Sequence, residues 1–217
     1  LRVSWGISGN NGIGDYSHIA MLNFANYSFG GGYANGLVPG NYPNPNLGWE
    51  ETETINLGID AGLFQDRIYT SFDYYTKRNK DLLLSIPVPS ATGFTTALTN
   101  IGEVLNKGWE LQINTRNTQN NLLWNTNISL AHNTNEVKKL GPENTPLLGG
   151  AHDIPHNITM VGEPMYSLYL VQQIGILSQE DIDNGAALYG NQEAGDPRYL
   201  DVNDDGIISP DDRVLSG

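Results

Sequence analysis

The chain has 217 residues, with 11 Lys and Arg against 24 Asp and Glu, a formal net charge of −13. That balance excludes a phosphate-backbone partner, which needs a basic face, so no nucleic acid is expected. The absence of cysteine removes disulfides, thiolate metal sites and a Cys nucleophile. No apolar run reaches the roughly 18 residues of a membrane-spanning helix. Leu1 opens directly inside a strand-like pattern, so the chain reads as a piece of a longer one.

In chain order, five segments alternate apolar and polar residues with period two. These are LRVSWGIS (1–8), TINLGIDAGL (54–63), RIYTSFDYYTK (67–77), GWELQINTR (108–116) and LLWNTNISL (122–130). Successive strand side chains face opposite sides, so each segment has one apolar and one polar face. Tight turns are expected around Phe64-Gln65-Asp66 and from Asn117 to Asn121. The remaining links, 9–48, 79–100 and 135–165, are long and rich in Gly, Pro and Asn. Short turns on one side and long loops on the other mark an all-β, antiparallel up-and-down meander.

Two readings of the alternation compete. A water-soluble sheet has one face on a core. A transmembrane barrel turns its apolar face to lipid and its polar face, here Asp60, Asp73 and Glu110, to a wet lumen. Trp5, Trp49, Trp109 and Trp124, with Tyr69, Tyr74 and Tyr75, sit mostly near strand ends, where interfacial girdles belong. The soluble alternative would be a secreted carbohydrate-binding module stabilised by calcium.

The acidic stretch DVNDDGIISPDD, Asp201 to Asp212, has a metal-loop spacing. Asp201, Asn203 and Asp205 stand at i, i+2 and i+4, followed by Gly206 at the sixth place. Ile207, Ser209 and Asp212 take the seventh, ninth and twelfth. This is the order in which a Ca²⁺ loop offers carboxylate and amide oxygens, a tight turn, a carbonyl, a water-bridging position and a last carboxylate. The twelfth residue is Asp rather than Glu, a shorter reach, and no helix pattern precedes the loop. Asp-Asp-Gly is also a good turn without any ion. If an ion binds, a structural rivet is expected rather than a sensor, with Asp204 and Asp211 as solvated charges.

Other chemistry is thin. Asp15, Ser17 and His18 are polar loop residues rather than a triad, which is recognised by geometry. His152, Asp153 and His156 have metal-compatible spacing but no further suggested ligand. Gly30-Gly31-Gly32 lacks the Lys-Ser/Thr of a phosphate loop. Tyr27, Phe29, Tyr33 and Tyr42 could stack on sugars or fill loop cores. No enzyme is expected.

Several longer motifs carry a family resemblance: NPNLGWE (44–50), DYYTKRNKDLLL (73–84), PVPSATGF (87–94) and NIGEVLNKGWEL (100–111). VGEPMYSLY (161–169) and GDPRYLDVNDDGIISPDDRVLSG (195–217) follow in order. Together they resemble the barrel of the SusC/RagA family of TonB-dependent outer-membrane transporters, over nearly the whole chain. The resemblance implies part of a large barrel of ~22 strands that imports glycans or peptides. It implies TonB as energy source, acting through segments beyond this chain, and a SusD-like lipoprotein over the extracellular mouth. On that basis residues 1–134 are expected to hold barrel strands with extracellular loops 9–48 and 79–100. Residues 135–217 are expected as one extracellular excursion ending in the calcium-type loop.

Overall fold

The computed structural model describes residues 1–119, 122–141, 143–151 and 154–216. Its strands are β1 (Arg2–Asn10), β2 (Leu22–Phe29), β3 (Gly32–Pro39), β4 (Glu50–Leu63), β5 (Ile68–Pro87), β6 (Thr96–Gln119) and β7 (Leu123–Lys139). They continue as β8 (Leu147–Ala151), β9 (Ile154–Thr159), β10 (Ser167–Val171), β11 (Gln173–Ile176), β12 (Pro197–Tyr199) and β13 (Arg213–Ser216). One short helix, α1 (Gln179–Asp183), lies between β11 and β12.

The chain divides into two compact units, Leu1–Thr145 and Pro146–Gly217. The first is an antiparallel five-stranded sheet in the order β1-β4-β5-β6-β7. All five alternating segments of the sequence lie in it. A separate β2–β3 hairpin stands in the link between β1 and β4. Gly30 and Gly31 form its turn with φ of 57° and 84°. Positive φ at both central residues is the type I′ turn that matches the strand twist, which is why glycines occupy it.

Register fixes the faces. Val3, Leu57, Tyr74, Trp109 and His132 form one row across all five strands. The next rows on that face are Ile59-Phe72-Leu111-Leu130, Ala61-Thr70-Ile113-Ile128 and Leu63-Ile68-Thr115-Thr126. Arg2, Gly58, Asp73, Glu110 and Ala131 form a row on the opposite face. The apolar face is uncovered: Val3 is 69% exposed, Ile59 55% and Leu130 50%. The buried apolar residues are few (Val104, Val137, Leu140 and Leu177 among them), and none belongs to the apolar rows.

Two strands run far beyond the sequence expectation. The loop expected at 79–100 is largely ladder, because β5 continues to Pro87 and β6 begins at Thr96. Asp81, with φ of 54°, sits in a bulge between Asn79 and Leu82 that breaks the alternation. The segment expected to end at 134 likewise continues in β7 to Lys139, and the two units part between Thr145 and Pro146.

Asn100, in the extended part of β6, acts as a substitute strand partner. Its amide oxygen accepts from the Gly48 N–H at 2.7 Å, and its amide nitrogen donates to the carbonyls of Gly48 and Asp81, both at 2.8 Å. Asn44 donates to the Leu98 carbonyl at 3.0 Å. The NPNLGWE and NIGEVLNKGWEL motifs are therefore stitched together.

In the second unit β13, β10, β9 and β8 form one sheet, and β11 pairs with β12. Ser178 caps α1: its hydroxyl accepts from the Asp181 N–H while Asp181 accepts from the Ser178 N–H. This S-x-x-D box satisfies two otherwise orphan donors of a very short helix. Arg198 fastens β12 to α1 through Asp181 at 2.7 Å.

Gly108 shows how tight the first sheet is. A Cβ there would lie 2.5 Å from the Tyr75 hydroxyl and 2.6 Å from the His132 carbonyl, whereas at Gly6 nothing lies within 4 Å. Gly108→Ala should destabilise by ~1–3 kcal/mol, the usual cost of overpacking. Gly6→Ala should be near neutral, with thermal loss of β circular dichroism as the readout.

Candidate functional site

Two features of the chain bear on function: the two-faced sheet and the acidic loop. On the polar face Arg2 reaches from β1 across Gly58 to β5. It bonds Asp73 at 2.8 Å and Asp60 at 3.2 Å. Ser71 donates to Asp60 at 2.9 Å. A side chain at position 58 would occupy the space that Arg2 crosses, with a Cβ 2.5 Å from Asp73 and 2.8 Å from Arg2. The face is thus a connected polar network, as the alternation of Asp60 and Asp73 implied.

The aromatic residues divide between the faces. Tyr74 and Trp109 share one row toward the long-connection end, beside Leu57 and His132. Trp5 lies in the row beyond it, and Trp124 stands near the opposite end of the same face. Tyr69 and Tyr75 alternate onto the polar face, where Tyr75 donates to Asn133 at 3.2 Å. Between Ile55 and Leu63 on β4 the apolar stretch is nine residues long. That matches the ~9–11 residues of a tilted membrane strand.

In the acidic loop the structure brings the sequence candidates together. The Asp201 carboxylate accepts from the N–H groups of Gly206 (2.9 Å) and Asp205 (3.3 Å). Asn203 accepts from the Asp205 N–H at 3.0 Å, and its amide donates to the Asp205 carboxylate at 3.0 Å. Asp205 accepts from the Ile207 N–H at 2.9 Å. Asp204 (φ 56°) and Gly206 (φ 82°) supply the left-handed turns that let the chain fold over these oxygens.

Asp212 closes the loop and is fully buried. Its carboxylate accepts from Ser209 N–H at 2.8 Å and Val202 N–H at 2.9 Å, so both ends of the loop hang on one side chain. The Ser209 hydroxyl in turn accepts from the Asp211 N–H at 3.1 Å. Ile207 forms an isolated parallel bridge with Leu188, and β13, directly after the loop, pairs with β10.

Among the described residues no three His, Asp or Glu side chains are placed to hold a metal ion. A calcium set here would depend on the Asn203 amide and the Ile207 carbonyl beside the carboxylates. Carboxylate oxygens that accept one N–H retain further lone pairs, so the internal bonds do not use up the loop's capacity.

Among the described residues, the remaining sequence candidates do not assemble into sites. The Ser17 hydroxyl donates to the Gly14 carbonyl at 2.7 Å, a local turn. Tyr42 packs edge-on against Phe94 at 5.9 Å, while Phe29 and Tyr33 are exposed. His152 and Asp153 lie outside the described residues.

The comparisons with known proteins agree with the two-faced sheet. The family described as TonB dependent receptor-like, beta-barrel, matches residues 3–205. TonB-dependent receptor P26 of Formosa agariphila is 37% identical over 225 residues, covering 100% of this chain and 22% of the relative. TonB-dependent receptor SusC of Bacteroides thetaiotaomicron is 31% identical over 230 residues, covering 99% of this chain and 22% of SusC. Among solved structures, the RagAB peptide transporter superposes with a TM-score of 0.76 at 26% identity, over 99% of this chain and 23% of that one. The chain belongs to the TonB-dependent receptor β-barrel family, in its SusC/RagA-like branch. This is a family of outer-membrane receptors and transporters rather than of enzymes, and the chain spans about a fifth of the relatives' length.

Asp212 gives the acidic loop a pH dependence. The backbone N–H groups of Ser209 and then Val202 hold its carboxyl below the ordinary carboxylate value, outweighing the opposing effect of burial. A depressed folded pKa adds stability above the unfolded value, near 3.9, that is lost as pH falls through the folded one. Amide-exchange protection at Val202 and Ser209 should therefore persist down to the ordinary carboxylate range and fall below it. In Asp212→Asn it should be low throughout.

Proposed function

We propose that this chain is part of the barrel wall of an outer-membrane, TonB-dependent importer of glycans or peptides, working with a SusD-like lipoprotein. The observation that carries the reading is the uncovered apolar face, nine residues tall on β4, with the Tyr74–Trp109 row toward one end and Trp124 near the other. In water that face would be an aggregation surface; in a bilayer it is the wall. The Arg2, Asp60 and Asp73 network then faces the lumen.

The connections orient the wall. Residues 64–67 link β4 to β5 closely and Gln119 pairs with Leu123 where β6 meets β7, as at periplasmic turns, while 11–49 and 88–95 stand at the opposite, extracellular end. β5 and β6, at 20 and 24 residues, are about twice the length a crossing needs, so they rise past the membrane. On the same count the chain leaves β7 on the extracellular side. The second unit, whose longest strand has six residues, holds no crossing among its described residues. The lipoprotein, TonB and the oligomeric substrate are supported by the likeness to SusC and to the peptide-transporting RagAB.

This reading assigns the loop of Asp201, Asn203, Asp205, Ile207, Ser209 and Asp212 to a structural Ca²⁺. Spacing and hydrogen-bonded convergence of the side chains support it. Calorimetry should show calcium uptake by the intact protein and none after Asp201→Ala or Asp205→Ala. No uptake at millimolar calcium by the intact protein would return the loop to an ion-free acidic turn.

The wall itself is tested by opposite faces of one strand. In the full-length protein Ile59→Arg should cost ~2–4 kcal/mol near the bilayer midplane and block assembly into the outer membrane. Asp60→Ala should be mild, since Arg2 retains Asp73. Equal tolerance of both changes would support a soluble sheet.

A further inference from the structure

Directly above the aromatic row, the apolar face turns cationic. Two residues along the strands from Trp109 stands Lys107, in register with Thr76, Ile55 and Trp5. The next row holds Arg78, Glu53, Leu105 and Glu136. Lys139 follows opposite Glu103, with Lys138 in the bulge beside it. Arg78, Lys107, Lys138 and Lys139 line one open pocket on the sheet together with Glu53 and Glu103. Four of the chain's eleven basic residues thus gather at one place in a chain of net charge −13.

Part of the cluster is an ion-pair frame. Arg78 bonds Glu103 at 2.7 Å, Lys80 bonds Glu53 at 2.9 Å, and Lys138 bonds Glu136. Each acid is committed to a cation that still has spare N–H donors. Lys107 and Lys139 have no carboxylate partner among the described residues. Both are exposed, on the side of the sheet that carries the apolar rows.

Depth decides what such a pocket meets. At ~3.3 Å per residue and a tilt of ~40°, Lys107 stands about 5 Å above the Trp109 row and Arg78 about 10 Å. The headgroup layer occupies roughly the first 5–8 Å beyond the hydrocarbon, so Lys107 stands within it, while Arg78 and Lys139 stand farther out and line the same pocket from its outer side. A protein aqueous surface needs no concentration of cations there, whereas the phosphates of membrane lipids lie at that level.

We propose that the Arg78, Lys107, Lys138 and Lys139 pocket binds the phosphate headgroup of an outer-leaflet lipid, whose acyl chains lie along the Ile55, Leu57 and Ile59 column. The site rests on the barrel reading above. Its ligand is defined by two features together: an anionic phosphate for the cations and a hydrocarbon chain for the apolar column beneath. Lys107 and Lys139 are the direct phosphate contacts, and the ion pairs hold the neighbouring side chains upright around them.

The test uses the full-length transporter, delipidated in detergent, and native mass spectrometry with bisphosphorylated lipid A as probe. Binding should fall at least tenfold in the double variant Lys107→Ala, Lys139→Ala. It should be unchanged in Lys77→Ala, whose neighbour in register, Asn106, lies on the other face. Dephosphorylated lipid A should bind the parent protein no better than the double variant binds the intact lipid. Equal retention of phosphorylated and dephosphorylated lipid, or an unchanged double variant, overturns the proposal. Displacement of the lipid by inorganic phosphate at low millimolar concentration also overturns it, making the pocket a site for the free anion. Outer-membrane fractionation separates the two readings. A parent protein that fails to assemble as a heat-modifiable barrel defeats the wall and the lipid site together. A parent that assembles normally but shows no phosphate preference defeats the lipid site alone.

Discussion

Everything in the first unit follows from an apolar sheet face whose side chains are exposed. Hydrogen-bonded strands satisfy their own backbone groups, so the sheet can present hydrocarbon to hydrocarbon without leaving polar atoms unpaired. The same logic leaves β1 and β7 as open edges, since only the strands between them have neighbours on both sides. An open edge in lipid is not tolerated, so further strands must continue the wall in both directions. Five strands of a barrel of ~22 are also in proportion to the fifth of its relatives that the chain spans.

That constraint explains which strands were legible in the sequence. Within the bilayer each strand separates two solvents, and Ile55, Leu57, Ile59, Ala61 and Leu63 alternate strictly with polar or small residues. Beyond the Tyr74–Trp109 row neither face lies against hydrocarbon, so the pressure for alternation disappears. There β5 and β6 read as loop, and the bulge at Asp81 breaks what periodicity remains. Asn100 belongs to the same zone. It was visible only as part of a family motif, because a side-chain amide that imitates a strand partner for Gly48 has no periodic trace.

The second unit was less legible for a related reason. Its strands are three to six residues long, too short for a period to declare itself, and local bonds hold much of it. The Ser178–Asp181 capping box was present in the sequence as S-x-x-D but marks a helix of only five residues. The acidic loop was legible as a turn with a cation-type spacing, in which Asp201, Asn203 and Asp205 share hydrogen bonds, and the ion itself is a proposal. The spacing did not reveal the burial of Asp212, whose carboxylate gathers the N–H groups of Val202 and Ser209. That role is structural with or without an ion.

The pairing of β1 with β4 across residues 11–49 has a consequence for the order in which the wall can form. Bringing together ends separated by about forty residues costs roughly 2 kcal/mol more closure entropy than the four-residue turn between β4 and β5. The meander from β4 to β7 is therefore kinetically favoured, and β1 joins it late although it comes first in the chain. The β2–β3 hairpin changes that balance. With a type I′ turn it can zip by itself, and once formed it holds residues 22 and 39 together, leaving only about twenty flexible residues to close. A hairpin inside the longest connection thus acts as a chain shortener, easing the slowest contact of the sheet before that contact is made.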